Sequence, residues 1–312
     1  MGDGSAIEWT DATWNPVTGC TKVSPGCDHC YAETIAGRFA GTKAYPAGFD
    51  VTLRPDRLEQ PLRWRRPRRI FVNSMSDLFH SHVSADYIAQ VFAVMAMTQR
   101  HTFQVLIKRP GRMCSLLGSW DFRIMVYDHI VAIAGGVEHD EVWPLPNVWL
   151  GTSVESQKWA DVRIPLLLDT PAAVRFLSCE PLLGKVLLCR CDGAQYEVSR
   201  HPFLISPECP LHGTTRLDWV IVGGESGPHA RPMHPAWARG LRDQCTVTTI
   251  PYFFKQWGEW APCDVETQTA GRALVQLDGH PDAWMVRVGK GAAGRELDGC
   301  SWDQFPKVGV PA

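Results

Sequence analysis

Seven short apolar runs, separated by longer stretches of helical pattern, constrain this chain more than any other feature. They are Ala12–Val17, Ile70–Asn73, Phe103–Ile107, Val148–Gly151, Val174–Leu177, Trp219–Val222 and Tyr252–Phe254. Between them the spacing predicts helices over Tyr31–Phe39, Ala85–Gln99, Trp159–Leu168 and Pro235–Cys245. Short strands linked through helices are the signature of a parallel sheet wrapped by helices. The expected class is α/β, as a partial or irregular (β/α) barrel. Ala85–Gln99 is apolar almost all round (Ile88, Val91, Phe92, Val94, Met95, Met97), which predicts a buried helix. Segment 120–146 carries no decisive pattern.

The residues at the carboxyl end of each run bear on function. Asn73 is followed by Ser74, Ser76 and Asp77, and Ile107 by Lys108 and Arg109. Gly151 leads to Thr152, Ser153 and Glu155, and Leu177 to Ser178, Cys179 and Glu180. Val222 leads to Gly223, Gly224, Glu225 and Ser226, and Phe254 to Lys255 and Gln256. In α/β barrels that carboxyl rim hosts the active site. The bland alternative is that strand ends are polar because they reach solvent.

The first run feeds directly into Gly19-Cys20-Thr21-Lys22-Val23-Ser24-Pro25-Gly26-Cys27-Asp28-His29-Cys30-Tyr31. The glycines and Pro25 make this a tight polar loop in which three thiols can converge. Three thiolates satisfy three irons of a four-iron cluster and leave the fourth open to a substrate or cofactor. Zinc is the alternative, with Cys20, Cys27, Cys30 and a fourth ligand such as His29, or a remote side chain, closing a tetrahedron. Unligated thiols are the third possibility.

Size and charge set limits. The 312 residues leave room for a sizeable core, and a net charge of −2 provides no global field drawing the molecule to nucleic acid. Met1–Ser5 lack a basic and apolar leader, and no uncharged apolar run is long enough to span a bilayer. Eleven cysteines without a leader predict the cytoplasm, where such residues more often bind metal than form disulfides. The organisation expected is a barrel-like domain over 1–257, a Cys-rich insertion at 185–216 and a C-terminal extension over 258–312, with Trp284–Val288 as an edge strand. Within the insertion, Cys189, Cys191, Cys209 and His212 have a spacing suited to structural zinc, with His201 as an alternative ligand and incidental cysteines as the bland reading.

The cysteine loop resembles that of radical S-adenosylmethionine enzymes. Their usual C-x3-C-x2-C becomes C-x6-C-x2-C here, with His29 at the customary aromatic position. The resemblance implies a partial barrel, a 4Fe-4S cluster on Cys20, Cys27 and Cys30, and an external electron donor. It also implies reductive cleavage of S-adenosylmethionine to a 5′-deoxyadenosyl radical. Such enzymes usually hold the methionyl amine with Gly-Gly-Glu after the second strand, where this chain has Asn73, Ser74, Ser76 and Asp77. The cofactor would lie across Ser74–Asp77, Ser153–Glu155, Ser178–Glu180 and Gly223–Glu225. More closely, several stretches resemble a prokaryotic and phage-encoded three-Cys-motif family of unknown function. They are Ile7–Pro16, the cysteine loop, Cys179–Gly184, Val222–Gly227 and Phe253–Gly258.

Three further readings come from the residues. Glycines at Gly223 and Gly224 would let backbone amides approach a ribose or carboxylate, with Glu225 accepting hydroxyls, although tight turning explains them equally well. Glu180 and Lys255 would hold substrate or move a proton, the alternative being an internal ion pair. The arginine run containing Arg54, Arg57, Arg63, Arg65 and Arg66, with Trp64 inside it, would meet phosphates and stack a base, against the alternative of a solvated face. The preferred expectation is a cytoplasmic iron–sulfur enzyme acting on a nucleotide or nucleic-acid-related substrate. A non-catalytic, zinc-stabilised nucleic-acid-binding protein and a zinc hydrolase are the rivals.

Overall fold

The computed structural model describes residues 4–5, 7–137, 142–188, 216–263, 273–277 and 283–307. Seven parallel strands form one sheet in sequence order: β1 (Ala12–Trp14), β2 (Arg69–Val72), β3 (Thr102–Ile107), β4 (Val148–Ser153), β5 (Val174–Cys179), β6 (Trp219–Gly223) and β7 (Tyr252–Gln256). Every anticipated strand is present, with ends displaced by a few residues. The largest difference is in the first, where Ala12–Val17 divides into β1 and a two-residue ribbon, Val17–Thr18, paired with Thr52–Leu53.

Helices fill the connections. They are α1 (Tyr31–Arg38), α2 (Ala85–Ala96), α3 (Pro110–Leu117), α4 (Trp120–Ile133), α5 (Gln157–Leu168) and α6 (Pro235–Val247). Ser84 starts α2 by accepting the Tyr87 amide at 3.2 Å, and Ser119 starts α4 by accepting that of Phe122 at 3.4 Å. Hydroxyls at that position satisfy amides the helix itself leaves unbonded. As anticipated, α2 is buried, from Tyr87 to Ala96 save Gln90. It packs against α4, with Phe92 and Phe122 edge to face at 5.9 Å.

The sheet curls into a half-barrel, which its two cores make plain. The larger lies between the outer sheet face and the helices, and contains Val72, Val105, Leu150, Leu177, Val220 and Phe254. The smaller lies inside the curl, where Trp9, Phe71, Trp149, Phe176, Trp219 and Phe253 meet. Trp9 precedes the first strand yet stands 6.2 Å from Trp219 on the sixth. Strand side chains alternate between faces, so each inner aromatic fixes what stands two and four residues further on. Above Trp149 come Gly151 and Ser153, above Phe176 comes Ser178, and above Trp219 and Ile221 comes Gly223. The interior therefore passes from an aromatic plug at the amino edge to small and polar groups at the carboxyl edge.

Among its described residues the C-terminal extension has no separate core. Strands β8 (Trp260–Cys263), β9 (Leu274–Gln276) and β10 (Trp284–Arg287) form an antiparallel sheet, and Trp260, Met285 and Leu297 join the main core. The anticipated edge strand is the central one, flanked by β8 and β9. The chain then covers the free side of β7, where the Phe254 amide donates to the Trp302 carbonyl at 2.9 Å. Among the described residues no helix is long and apolar enough to cross a membrane.

Candidate cofactor and substrate site at the carboxyl rim

The cysteine loop starts where β1 ends and lies across the carboxyl edge of the sheet. Gly19 has φ of 85°, and a Cβ there would stand 2.1 Å from the Asp50 carbonyl oxygen, so only glycine lets the two segments approach. The Gly19 amide donates to the Met75 carbonyl at 3.0 Å, and that of Cys20 to Phe49 at 3.1 Å. Pro25–Cys27 form one short helical turn, and Cys30 immediately precedes α1. All three thiols are free and half-buried.

Ionic side chains from four strand ends fasten this loop. From beyond β3, Arg109 donates to Cys20 Sγ at 3.4 Å, to Asp77 Oδ2 at 3.2 Å and to the Thr21 carbonyl at 3.0 Å. Asp77, from beyond β2, also accepts the amides of Phe79 at 3.0 Å and Lys108 at 2.8 Å. From beyond β4, Glu155 accepts the Gly26 amide at 3.4 Å and pairs with the wholly buried Arg163 at 2.9 Å. From beyond β6, Glu225 pairs with Arg231 at 2.6 Å and with His29 Nδ1 at 3.2 Å. Arg231 continues to Asp28 at 3.2 Å and to the Pro25 carbonyl at 2.8 Å.

These contacts set the local electrostatics. Burial pushes the Cys20 thiol up, the Asp77 charge adds to this, and Arg109 partly opposes both. Burial also works against ionised Glu225, but hydrogen bonds from Arg231 and His29 outweigh it and lower that carboxyl. Burial lowers the Arg163 guanidinium despite Glu155, and its ring neighbour Trp159 lies 4.2 Å away. Its Nη2 is buried with no hydrogen-bond partner among the described residues.

Inside the curl, two lysines meet partners from other strands, Lys108 from the strand next to it and Lys255 from across β6. Lys108 Nζ donates to Ser153 Oγ at 3.1 Å, and Lys255 Nζ to Glu180 Oε1 at 2.6 Å. Ser178 is buried beside Ser153 on the adjacent strand. Gly223 faces Glu180, since a Cβ there would lie 3.3 Å from its carboxyl carbon. The Glu180–Lys255 ion pair and the proximity of Gly223 assemble three anticipated residues at one place.

Other anticipated residues have structural work. Asn73 Oδ1 accepts the Val17 amide at 3.3 Å, Ser74 Oγ donates to Asn15 Oδ1 at 3.2 Å, and Ser76 Oγ to the Val17 carbonyl at 2.8 Å. These side chains brace the turn after β2. Gly224 is a close-approach glycine, because a Cβ there would stand 1.9 Å from the Trp257 carbonyl oxygen. His29 is committed through Nδ1 to Glu225. Cys189, Cys191, Cys209 and His212 lie outside the described residues.

The arginine run needs correction. Arg54 and Arg57 are buried and do not form a phosphate-binding surface: Arg54 reaches Asp56 at 3.2 Å and the Ala44 carbonyl at 2.6 Å. Arg63, Arg65 and Arg66 are exposed, but they precede β2 and so stand at the amino edge. The cysteine loop is at the opposite edge of the sheet. Trp64 is half-buried, with Arg68 over its ring at 5.0 Å. Conversely, Arg163 and Arg231 escaped notice in the sequence. Each lies several residues from the carboxylate it serves, with no local spacing to mark it.

Fold and site together define an α/β half-barrel protein with a three-cysteine loop fastened over its carboxyl rim. The chain belongs to the family described as "Protein of unknown function (DUF5131)", which it matches over residues 4–306. No curated protein matches it. Among solved structures it is similar to "Spore photoproduct lyase complexed with dinucleoside spore photoproduct", with a TM-score of 0.35 and 10% identity over 87% of this chain and 67% of that one.

Proposed function

We propose that this protein is an iron–sulfur enzyme of the radical S-adenosylmethionine type, acting on a nucleotide or nucleic-acid-related substrate. One observation carries the reading: a loop with three free thiols lies directly over the polar end of a curled parallel sheet. The donor set fits an iron–sulfur cluster, being all sulfur, half-exposed and next to a guanidinium that offsets thiolate charge. Among the described residues no three His, Cys, Asp or Glu side chains stand close enough to hold one metal ion, so the choice between cluster and zinc rests on the all-sulfur donor set and on metal analysis.

Cys20, Cys27 and Cys30 would hold the cluster. When bound, it would supply the electron for reductive cleavage of S-adenosylmethionine. The remaining residues bind and orient. Lys108 and Ser153 offer a cation and a hydroxyl to a carboxylate, while Ser178 and the bare backbone at Gly223 leave room beside them. Lys255 donates to Glu180 across 2.6 Å, and either side chain would hold or move a proton at a substrate atom that replaces its partner.

Iron and acid-labile sulfide analysis of protein kept from oxygen tests the assignment, followed by incubation with reductant and S-adenosylmethionine. The expected result is about four irons per chain and release of 5′-deoxyadenosine. Zinc without iron would overturn it in favour of a zinc-stabilised binding protein. Iron without cofactor cleavage, in the presence of candidate nucleic acids, would leave an electron carrier or sensor.

A further inference from the structure

Helix α1 is packed the wrong way round for an ordinary surface helix. Its buried positions are the small residues Ala32 and Ala36. Its large apolar residues, and Phe39 directly after its last turn, face outward: Tyr31 is 52%, Ile35 36% and Phe39 48% exposed. These three recur every four residues and therefore share one stripe. The stripe is about 12 Å long at 1.5 Å per residue, the span of three to four stacked bases at about 3.4 Å each. Its near end is at the site, because Cys30 immediately precedes the helix and the Tyr31 hydroxyl donates to the Ser74 carbonyl on the rim.

The flanks are basic. Arg38 and Lys43 are exposed, and among the described residues neither forms an ion pair with a carboxylate. Of the nearby acids, Glu33 pairs with Lys22 at 3.0 Å, and Asp28 with Arg231 at 3.2 Å, a guanidinium it shares with Glu225. Aromatic faces interleaved with free cations are how single-stranded nucleic acid is held without sequence preference, through stacking plus phosphate neutralisation.

We infer that the exposed Tyr31–Ile35–Phe39 stripe, with Arg38 and Lys43, is a track for single-stranded nucleic acid leading to the cysteine loop. This deepens the reading given above by naming the substrate class, and rests on it for what happens at the rim. It also moves the nucleic-acid surface from the amino-edge arginines to the edge that carries the site.

The test is fluorescence anisotropy of labelled twelve-nucleotide oligo-dT and oligo-U with the full chain, purified without oxygen, over a salt series. Iron is measured on the same preparation. Salt-sensitive binding is expected, weakened about tenfold by Phe39→Ala and retained by Phe39→Tyr. Arg38→Ala with Lys43→Ala should reduce the salt slope by about 1.4, at roughly 0.7 per phosphate contact. Replacing Arg63, Arg65 and Arg66 with Ala should change nothing. All these positions are exposed, so matching thermal melts certify folding. Absence of salt-sensitive binding, or its loss only in the amino-edge triple variant, overturns the track. So does a concentration-dependent mass increase that Phe39→Ala abolishes, which would assign the face to a second copy. Failure of binding with iron present removes the track alone; binding without iron removes the cluster alone.

Discussion

Arg109 Nη1 lies 3.4 Å from Cys20 Sγ while the same nitrogen lies 3.2 Å from the buried Asp77 carboxylate. The carboxylate fixes the guanidinium, and the guanidinium is the only cation holding a thiol of the loop among the described residues. A hydrogen bond from a cation to sulfur stabilises the more negative state of whatever the sulfur carries.

Arg109→Gln should therefore act in two separable ways. In metal-free protein the Cys20 thiol, already raised by burial, loses its opposing influence, so alkylation near neutral pH slows. In loaded protein the cluster becomes harder to reduce, by about 60 mV for a tenfold change in a one-electron couple. Arg109→Lys should recover part of both. Unchanged alkylation and unchanged potential would show the contact to be packing only.

The Glu155–Arg163 pair makes a different prediction because both partners are nearly fully buried. Breaking a buried pair from one side leaves an uncompensated charge and costs about 3–5 kcal/mol. Arg163→Met should show a loss of that order in denaturant unfolding. Glu155→Gln should cost less, since an amide can still accept from Gly26 and Arg163. Equal losses would mean that the charge pairing itself, not the hydrogen bonds an amide can keep, holds the loop at this corner.

How far the sequence reached depended on the range of the interaction. The strands were legible because alternation and apolar runs are local, and with them came the rim, since chain direction fixes which end of each strand meets the next loop. Helix α4 was not legible: Phe122, Val126 and Ile130 form a buried stripe, but exposed Trp120, Ile124 and Ile133 mask its period. The rim clusters were half legible. Glu180 and Lys255 were both visible as strand-end residues, whereas their pairing across three strands depends on the curl. Arg54 read as a surface cation, yet backbone carbonyls of residues 43 and 44 enclose its head. Composition cannot distinguish those two fates.

Acid should loosen the loop through Glu225. Its carboxyl is lowered in the folded protein from an ordinary value of 4.5, so the folded state binds the proton less readily than the unfolded chain. The stabilisation is complete above pH 4.5 and falls away as pH drops through the lowered folded value. Unfolding free energies of the parent and Glu225→Gln proteins should thus differ most near neutrality and converge towards acid. A gap constant with pH would remove the ionic role of Glu225.

Gly223 and Gly224 stand side by side and should behave unlike one another. A methyl at Gly224 meets the Trp257 carbonyl oxygen at 1.9 Å, a backbone atom that cannot move without displacing Gly258, itself at φ of 84° and close to the Glu225 carbonyl. Gly224→Ala should cost more than about 3 kcal/mol, or prevent folding, by forcing the two segments apart. The nearest atoms to a methyl at Gly223 belong to the Glu180 side chain, at 3.3 Å, which can swing aside at the expense of its bond to Lys255. Gly223→Ala should therefore fold with a melting temperature within a few degrees of the parent, while losing affinity for whatever occupies the rim. Differential scanning fluorimetry with and without S-adenosylmethionine separates the two effects. If Gly223→Ala also fails to fold, its bare backbone serves packing, and the space beside Glu180 is not a binding position.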